Sequence, residues 1–224
     1  MKTLRSIFFL SLCLLLSVAG YAGDKASFLK KQFTARDGYQ LNYRVLYPRD
    51  YNPAQKYPVI LFLHGAGERG SDNEAQLVHG GDMFASFENQ TKYPAIIIAP
   101  QCPAEKTWSE YKGLNAGKEG KRFYPLNAPA TQSMAAVKEL LDSYIAEGKV
   151  DTGLSMGGMG TFDIVMRYPN LFAAAAPICG GANLQRLANF KGKTAFSIYH
   201  GGSDSVVDVQ FSRDANEALK KAGA

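Results

Sequence analysis

Histidine is scarce in this chain of 224 residues: there are three, His64, His79 and His200. No His-Glu-x-x-His pair occurs, which excludes the common helical zinc-hydrolase arrangement. The three cysteines, Cys13, Cys102 and Cys179, are too few and too widely spaced for a cysteine-based metal motif or a disulfide-dense scaffold. Charge of one sign is also lacking. The formal net charge is +5 and dispersed, too little to mark a nucleic-acid surface. Outside residues 7–18 there is no long apolar run, and that run is short for a membrane span. Internal repeats and low-complexity tracts are absent. The length suits one α/β domain with a sizeable core.

What is present begins with the N-terminus. Lys2 and Arg5 precede the apolar run, and Gly20 and Ala22 supply small residues at cleavage spacing. This reads as a signal peptide over 1–22, with 23–224 as the folded domain, and predicts a secreted or periplasmic protein without a stable membrane span after cleavage. Leu12 before Cys13 is bulky where a lipidation box wants a small residue. Cleavage removes Lys2 and Arg5 and no acid, so the charge falls from +5 to +3. Cys102 and Cys179 remain; an oxidising compartment permits a bridge between them, and the sequence leaves a disulfide and two buried thiols both open.

Segments 33–36 and 39–47 flank Asp37-Gly38, a strong hairpin signal, with Tyr39, Leu41, Tyr43, Val45 and Tyr47 on one face. The runs 58–63 and 95–99 are continuously apolar, as in parallel strands buried on both faces. Helical spacing of Met134, Val137, Leu141 and Tyr144 predicts a helix over 130–147, with Gly148 placed to end it. Residues 158–167 read as a helix, 172–178 and 194–199 as strands, and 212–221 as a helix. Strands alternating with helices imply a mostly parallel α/β sheet covered on both faces. The long segment 101–127 holds Trp108, Tyr111, Phe123 and Tyr124. It reads equally as a cleft-lining loop or as an insertion with its aromatics tucked against the sheet.

Gly153, Ser155 and Gly157 form Gly-x-Ser-x-Gly, and Gly158 and Gly160 follow. A serine on a sharp strand-to-helix elbow needs such neighbours, because the backbone packs tightly around it. Ser155 is the candidate nucleophile, and the Met156 amide, at a helix start, is one candidate oxyanion donor. The second is expected in the loop after an earlier strand, where His64-Gly-Ala-Gly67 follows an apolar run: Ala66 first, Gly65 next. Gly65, Gly67 and Gly70 also spell a dinucleotide fingerprint, but the polar stretch 68–74 is wrong for the apolar helix that fingerprint opens.

Taken together, HGAGERG (64–70), APQCP (99–103), GLSMGG (153–158), APICGG (176–181) and HGGSD (200–204) resemble secreted α/β-hydrolases of the esterase and predicted-peptidase type. Polyhydroxybutyrate depolymerases and feruloyl or acetylxylan esterases are relatives of that group. The resemblance covers residues from about 30 onward. It implies an α/β-hydrolase fold, an acyl-enzyme mechanism on small-molecule or polysaccharide-linked esters, a Ser, Asp, His triad in that chain order, no metal and no organic cofactor. Ser155 matches the nucleophile and Asp204 the acid, with Asp208 in reserve. Trp108 is a candidate substrate-stacking ring.

Two features depart from that pattern. The family's histidine lies well beyond the acid, and here none follows Asp204. The reading is therefore a domain incomplete at its C-terminal end and impaired as a catalyst, or else a non-catalytic fragment or binding module. His64, His79 and His200 each have a structural role as default. The entry to the elbow, Gly148-Lys-Val-Asp-Thr152, is polar where a buried strand belongs. It predicts a short or improvised strand, with weak stability or a displaced elbow.

Overall fold

The computed structural model describes residues 24–111, 124–144 and 148–224. The expected signal peptide, Phe123 and the end of the helix predicted to reach Glu147 lie outside them. Strands β1 (Leu29–Thr34), β2 (Gln40–Leu46), β3 (Val59–Leu63), β4 (Ile96–Pro100), β5 (Lys149–Leu154), β6 (Ala174–Ile178) and β7 (Ala195–Phe196) form one sheet in the order β1-β2-β4-β3-β5-β6-β7. The β1–β2 hairpin joins β4 antiparallel, and β4, β3, β5, β6 and β7 run parallel. From β3 the chain goes outward to β4, then returns to the other side of β3 as β5. That reversal opens a crevice at the carboxyl ends of β3 and β5, where ligands of open α/β sheets bind.

The hairpin follows from its turn. Gly38 adopts φ +84°, and the Asp37 carboxylate accepts the Tyr39 amide at 2.9 Å. Leu41, Tyr43 and Val45 are buried on one face, with Tyr39 and Tyr47 packed beside them. The helices are α1 (Gly81–Ala85), α2 (Phe87–Lys92), α3 (Gln132–Asp142), α4 (Met156–Arg167), α5 (Leu184–Ala188) and α6 (Gln210–Ala222). Thr131 caps α3 by accepting the Met134 amide at 3.1 Å, and Met134, Val137, Leu140 and Leu141 are buried. Helix α3 ends at Asp142, where the Ser143 hydroxyl donates to the Leu140 carbonyl at 2.6 Å and competes with the next turn. The strand predicted over 194–199 is β7 plus one bridge between Tyr199 and Ile178.

One face of the sheet carries the main core, which draws on α3, α4, α5 and α6; the other carries a smaller cluster around Phe62, Ile97 and Ala99. On that second face of β5 and β6, Val150, Leu154, Ala174, Ala176 and Ile178 are only half-buried and join no buried cluster. No helix of the described residues is long and apolar enough to cross a membrane.

Strand β5 is made from the polar residues expected to serve poorly. Its six residues pair in register with both neighbours, Gly153 opposite Leu63 on β3 and Pro177 on β6. The elbow therefore stands at the sheet's carboxyl edge and is not displaced. The cost falls on Asp151. Its carboxyl is fully buried, and neither its oxygens nor the neighbouring Thr161 hydroxyl makes a hydrogen bond of good geometry. Burial pushes the Asp151 pKa well above the usual carboxylate range, with Thr161 and the Thr152 amide offering only partial relief. The unfolded chain ionises this group above about pH 4 and the folded protein only at higher pH, so stability drains away as pH rises. An Asp151→Val chain should gain about 1–3 kcal/mol, and more at about pH 8 than at about pH 6. Urea denaturation at the two pH values checks it.

Candidate active site

Ser155 joins β5 to α4 with φ +56° and ψ −111°, a region non-glycine residues avoid at a cost of about 1–3 kcal/mol. The surroundings impose it. Its amide donates to the Ile178 carbonyl on β6 at 2.8 Å, and its carbonyl accepts Met159 in the first turn of α4 at 3.0 Å. A Cβ on Gly157 would lie 1.9 Å from the Leu63 carbonyl oxygen, and one on Gly153 would lie 2.5 Å from the Gly157 backbone. Both motif glycines are there because backbone meets backbone. The serine side chain is half-exposed at the crevice, and Met156, behind it, is buried. As the first residue of α4, Met156 has an amide with no intrahelical acceptor.

The second wall is the loop after β3. A Cβ on Gly65 would stand 3.8 Å from the Ser155 Cβ, so this loop reaches the serine. His64 holds it there. The Cys102 amide, which can only donate, bonds His64 Nε2 at 2.9 Å. The ring proton is therefore on Nδ1, which donates to the Gly65 carbonyl at 2.6 Å. In a trans peptide the carbonyl and the following N–H point opposite ways, so fixing the Gly65 carbonyl turns the Ala66 N–H away from the imidazole. Arg69 Nε caps the Ala66 carbonyl at 2.9 Å. Burial lowers the His64 pKa to about 4.

Trp108 corrects an expectation. The ring is wholly buried, packs edge-on to His64 at 5.2 Å and donates to the His64 carbonyl at 3.0 Å. It offers no face to a substrate and instead buttresses the loop. Tyr124 is buried too, edge-on to Phe211, so the described aromatics of this segment are tucked in.

Asp204 lies on the loop after β7. Its Oδ1 accepts the Val206 and Val207 amides, each at 2.9 Å, and those bonds, the Val207 amide foremost, hold its pKa below the usual range. The Cys179 thiol also donates to it. Cys179 follows Ile178, the residue that holds the Ser155 amide, so the carboxylate stands beside the elbow. Asp208 is exposed and accepts the Gln210 amide at 2.8 Å at the start of α6. Cys102 and Cys179 are both free: Cys102 is buried next to His64, with its pKa pushed up to about 12 by desolvation.

No histidine meets the serine. His64 spends both ring nitrogens on backbone groups. His200 contacts Ser212 Oγ at 2.7 Å and the Val207 carbonyl at 2.9 Å. His79 is exposed and lies 3.4 Å from Glu68. Among the described residues the Ser155 hydroxyl has no hydrogen-bond partner. A cavity of about 560 Å³ beside Leu29, Tyr47, Arg49 and Phe87 shares no residue with this site.

A family model described as Esterase matches residues 35–186. The chain belongs to the Esterase family. Among curated relatives, poly(3-hydroxyalkanoate) depolymerase C of Paucimonas lemoignei is 28% identical over 131 residues, 55% of this chain and 28% of that one. Among solved structures, a thermostable esterase is 36% identical with TM-score 0.73, covering 89% of this chain and 53% of its own. A ferulic acid esterase of the anaerobic fungus Anaeromyces mucronatus is 16% identical with TM-score 0.59, covering 88% and 79%, and shares the fold. The chain thus spans about half the length of the thermostable esterase and 28% of the depolymerase. The fold is that of an α/β-hydrolase.

The His64 bonds need a neutral ring. The unfolded chain takes up a proton near pH 6.5, while the folded ring resists until about pH 4. Acidification across that window therefore favours unfolding, by about 3 kcal/mol in all. The opposite slope from Asp151 masks it. In the Asp151→Val background, stability followed by urea denaturation should fall from about pH 6.5 to about pH 4, and adding His64→Asn should remove that slope.

Proposed function

We propose that this chain is a serine carboxylic-ester hydrolase by design and a slow one as constituted. Ser155 is the nucleophile, the amides of Met156 and Ala66 (Gly65 next) receive the oxyanion, and Asp204 is the acid that orients an imidazole. The observation that carries the reading is the strained φ of Ser155 at the tip of β5, with the His64-anchored loop against it. Such an elbow is costly and has little purpose except to expose a hydroxyl between amide donors. Membership of the Esterase family supports ester hydrolysis.

Slow turnover is expected because, among the described residues, the Ser155 hydroxyl meets no imidazole. The substrate is a small-molecule or polysaccharide-linked ester, and nothing in the charge pattern invites nucleic acid. Export to the periplasm or beyond follows from the basic, apolar and small-residue order of 2–22. The unpartnered Ser155 hydroxyl favours one second reading, a non-catalytic binding module with the hydrolase fold.

Nitrophenyl acetate hydrolysis by the purified chain, against Ser155→Ala, separates these. Loss of a triad base costs up to about 10⁶-fold in turnover, while the oxyanion hole and binding retain about 10³–10⁴-fold over water. The expected result is slow hydrolysis that Ser155→Ala abolishes. A rate typical of an intact triad would show that a base exists. A rate indifferent to Ser155→Ala removes the nucleophile assignment and leaves the binding module.

A further inference from the structure

Cys179, His200 and Asp204 are not spaced as metal ligands along the chain. The fold nevertheless brings one ligand atom from each within 4.8 Å of the other two. The hydrogen bonds around them have a direction. Asp204 Oδ1 is taken by two backbone amides, which leaves Oδ2 facing His200 Nε2 at 3.5 Å. His200 Nδ1 lies 2.7 Å from Ser212 Oγ, and that oxygen lies 3.1 Å from the Gly180 carbonyl.

A carbonyl only accepts, so the Ser212 hydroxyl gives its one proton to Gly180 and accepts from Nδ1–H. The Val207 carbonyl, 2.9 Å from Nε2, likewise only accepts, so in the metal-free chain Nε2 carries a proton and donates it there. The Asp204 carboxylate lies 3.5 Å from the same nitrogen. The Cys179 sulfur stands beside them. The side chains of His200 and Asp204 are 4% and 19% exposed, so water screens them poorly. In the metal-free chain two protons hold these atoms together, one on Nε2 and the Cys179 thiol proton given to Asp204; a cation that takes their place meets the same converging ligand atoms.

We propose that Cys179 Sγ, His200 Nε2 and Asp204 Oδ2 bind one divalent cation of the zinc type, with water or the Val207 carbonyl as fourth ligand. Zinc–sulfur bonds of about 2.3 Å and zinc–nitrogen or –oxygen bonds of about 2.0–2.2 Å set tetrahedral ligand atoms about 3.3–3.8 Å apart. The His200–Asp204 pair already meets that spacing, and the sulfur needs to move by about 1 Å at most. The Nδ1–Ser212–Gly180 chain is the outer hydrogen bond that orients a metal-bound imidazole, and the two amides do the same for the carboxylate. On binding, the Cys179 thiol and His200 Nε2 release their protons to solvent. The competing occupant is a second proton on His200. If Asp204 is the triad acid, the cation also withdraws it from that role; this consequence rests on the proposed function, whereas binding does not.

The test is titration of the metal-free chain with Co²⁺ as a spectroscopic stand-in for Zn²⁺. Expected are a thiolate-to-cobalt absorption in the near ultraviolet, visible bands of tetrahedral cobalt, saturation at about one ion per chain, and loss of the spectrum on adding Zn²⁺. Cys179→Ser should abolish the near-ultraviolet absorption, and the isosteric Asp204→Asn should weaken binding at least about tenfold. Ser155→Ala should bind as the parent does. Absence of the cobalt spectrum from the parent chain, or its survival in Cys179→Ser, overturns the site and leaves the esterase reading untouched. Ser155-independent hydrolysis does the reverse.

Discussion

Three backbones meet at the end of β5, and no side chain larger than hydrogen fits between them. The Leu63 carbonyl presses on Gly157, Gly153 presses on Gly157, and the Ile178 carbonyl takes the Ser155 amide. This contact forces the chain from strand to helix in a single residue and places that residue in a costly conformation. Everything else about the site is arranged around it. The sheet order delivers β3 and β6 as the two flanking strands, α4 starts with free amides at the serine, and the loop after β3 is drawn over the top by His64.

The electrostatics are equally directed, up to a point. A buried neutral imidazole fixes one peptide plane through two backbone bonds, and Trp108 seals its flank. A carboxylate held by amides stands next to Cys179, one residue from the carbonyl that anchors the elbow. These are stabilisers of negative charge and of an imidazolium. What the described residues do not bring to Ser155 is the imidazole itself. The proposed chemistry is therefore strong in transition-state stabilisation and weak in proton transfer, two functions that most serine hydrolases combine.

Much of this was legible in the sequence, for physical reasons that differ by element. The Asp37-Gly38 turn and the apolar runs before His64 and Pro100 are local signals, since turn conformation and two-sided burial leave their mark on adjacent residues. The glycines of the elbow were readable because backbone contact tolerates no alternative. The short helices α1, α2 and α5 were missed; at five or six residues they have too few turns for a periodic stripe. Trp108 was misread because an aromatic in a polar stretch looks available, and only the fold shows the His64 carbonyl waiting for its indole. The polar run before Gly153 was read as a defect in the strand. It pairs fully nonetheless, because register with two neighbours outweighs propensity, and the defect survives as the buried Asp151. The meeting of Cys179 with His200 and Asp204 is a long-range product of the β6–β7 pairing and leaves no spacing to find.

The account turns on whether Ser155 lacks only a proton acceptor. Added imidazole can supply one in solution. The decisive measurement is the rate at which a fluorophosphonate labels Ser155, read by mass spectrometry of the peptide that carries it, as imidazole concentration is raised at constant pH. Slow labelling that climbs in proportion to imidazole is the predicted result. Rapid labelling without imidazole and unchanged by it would mean that the serine already has its base.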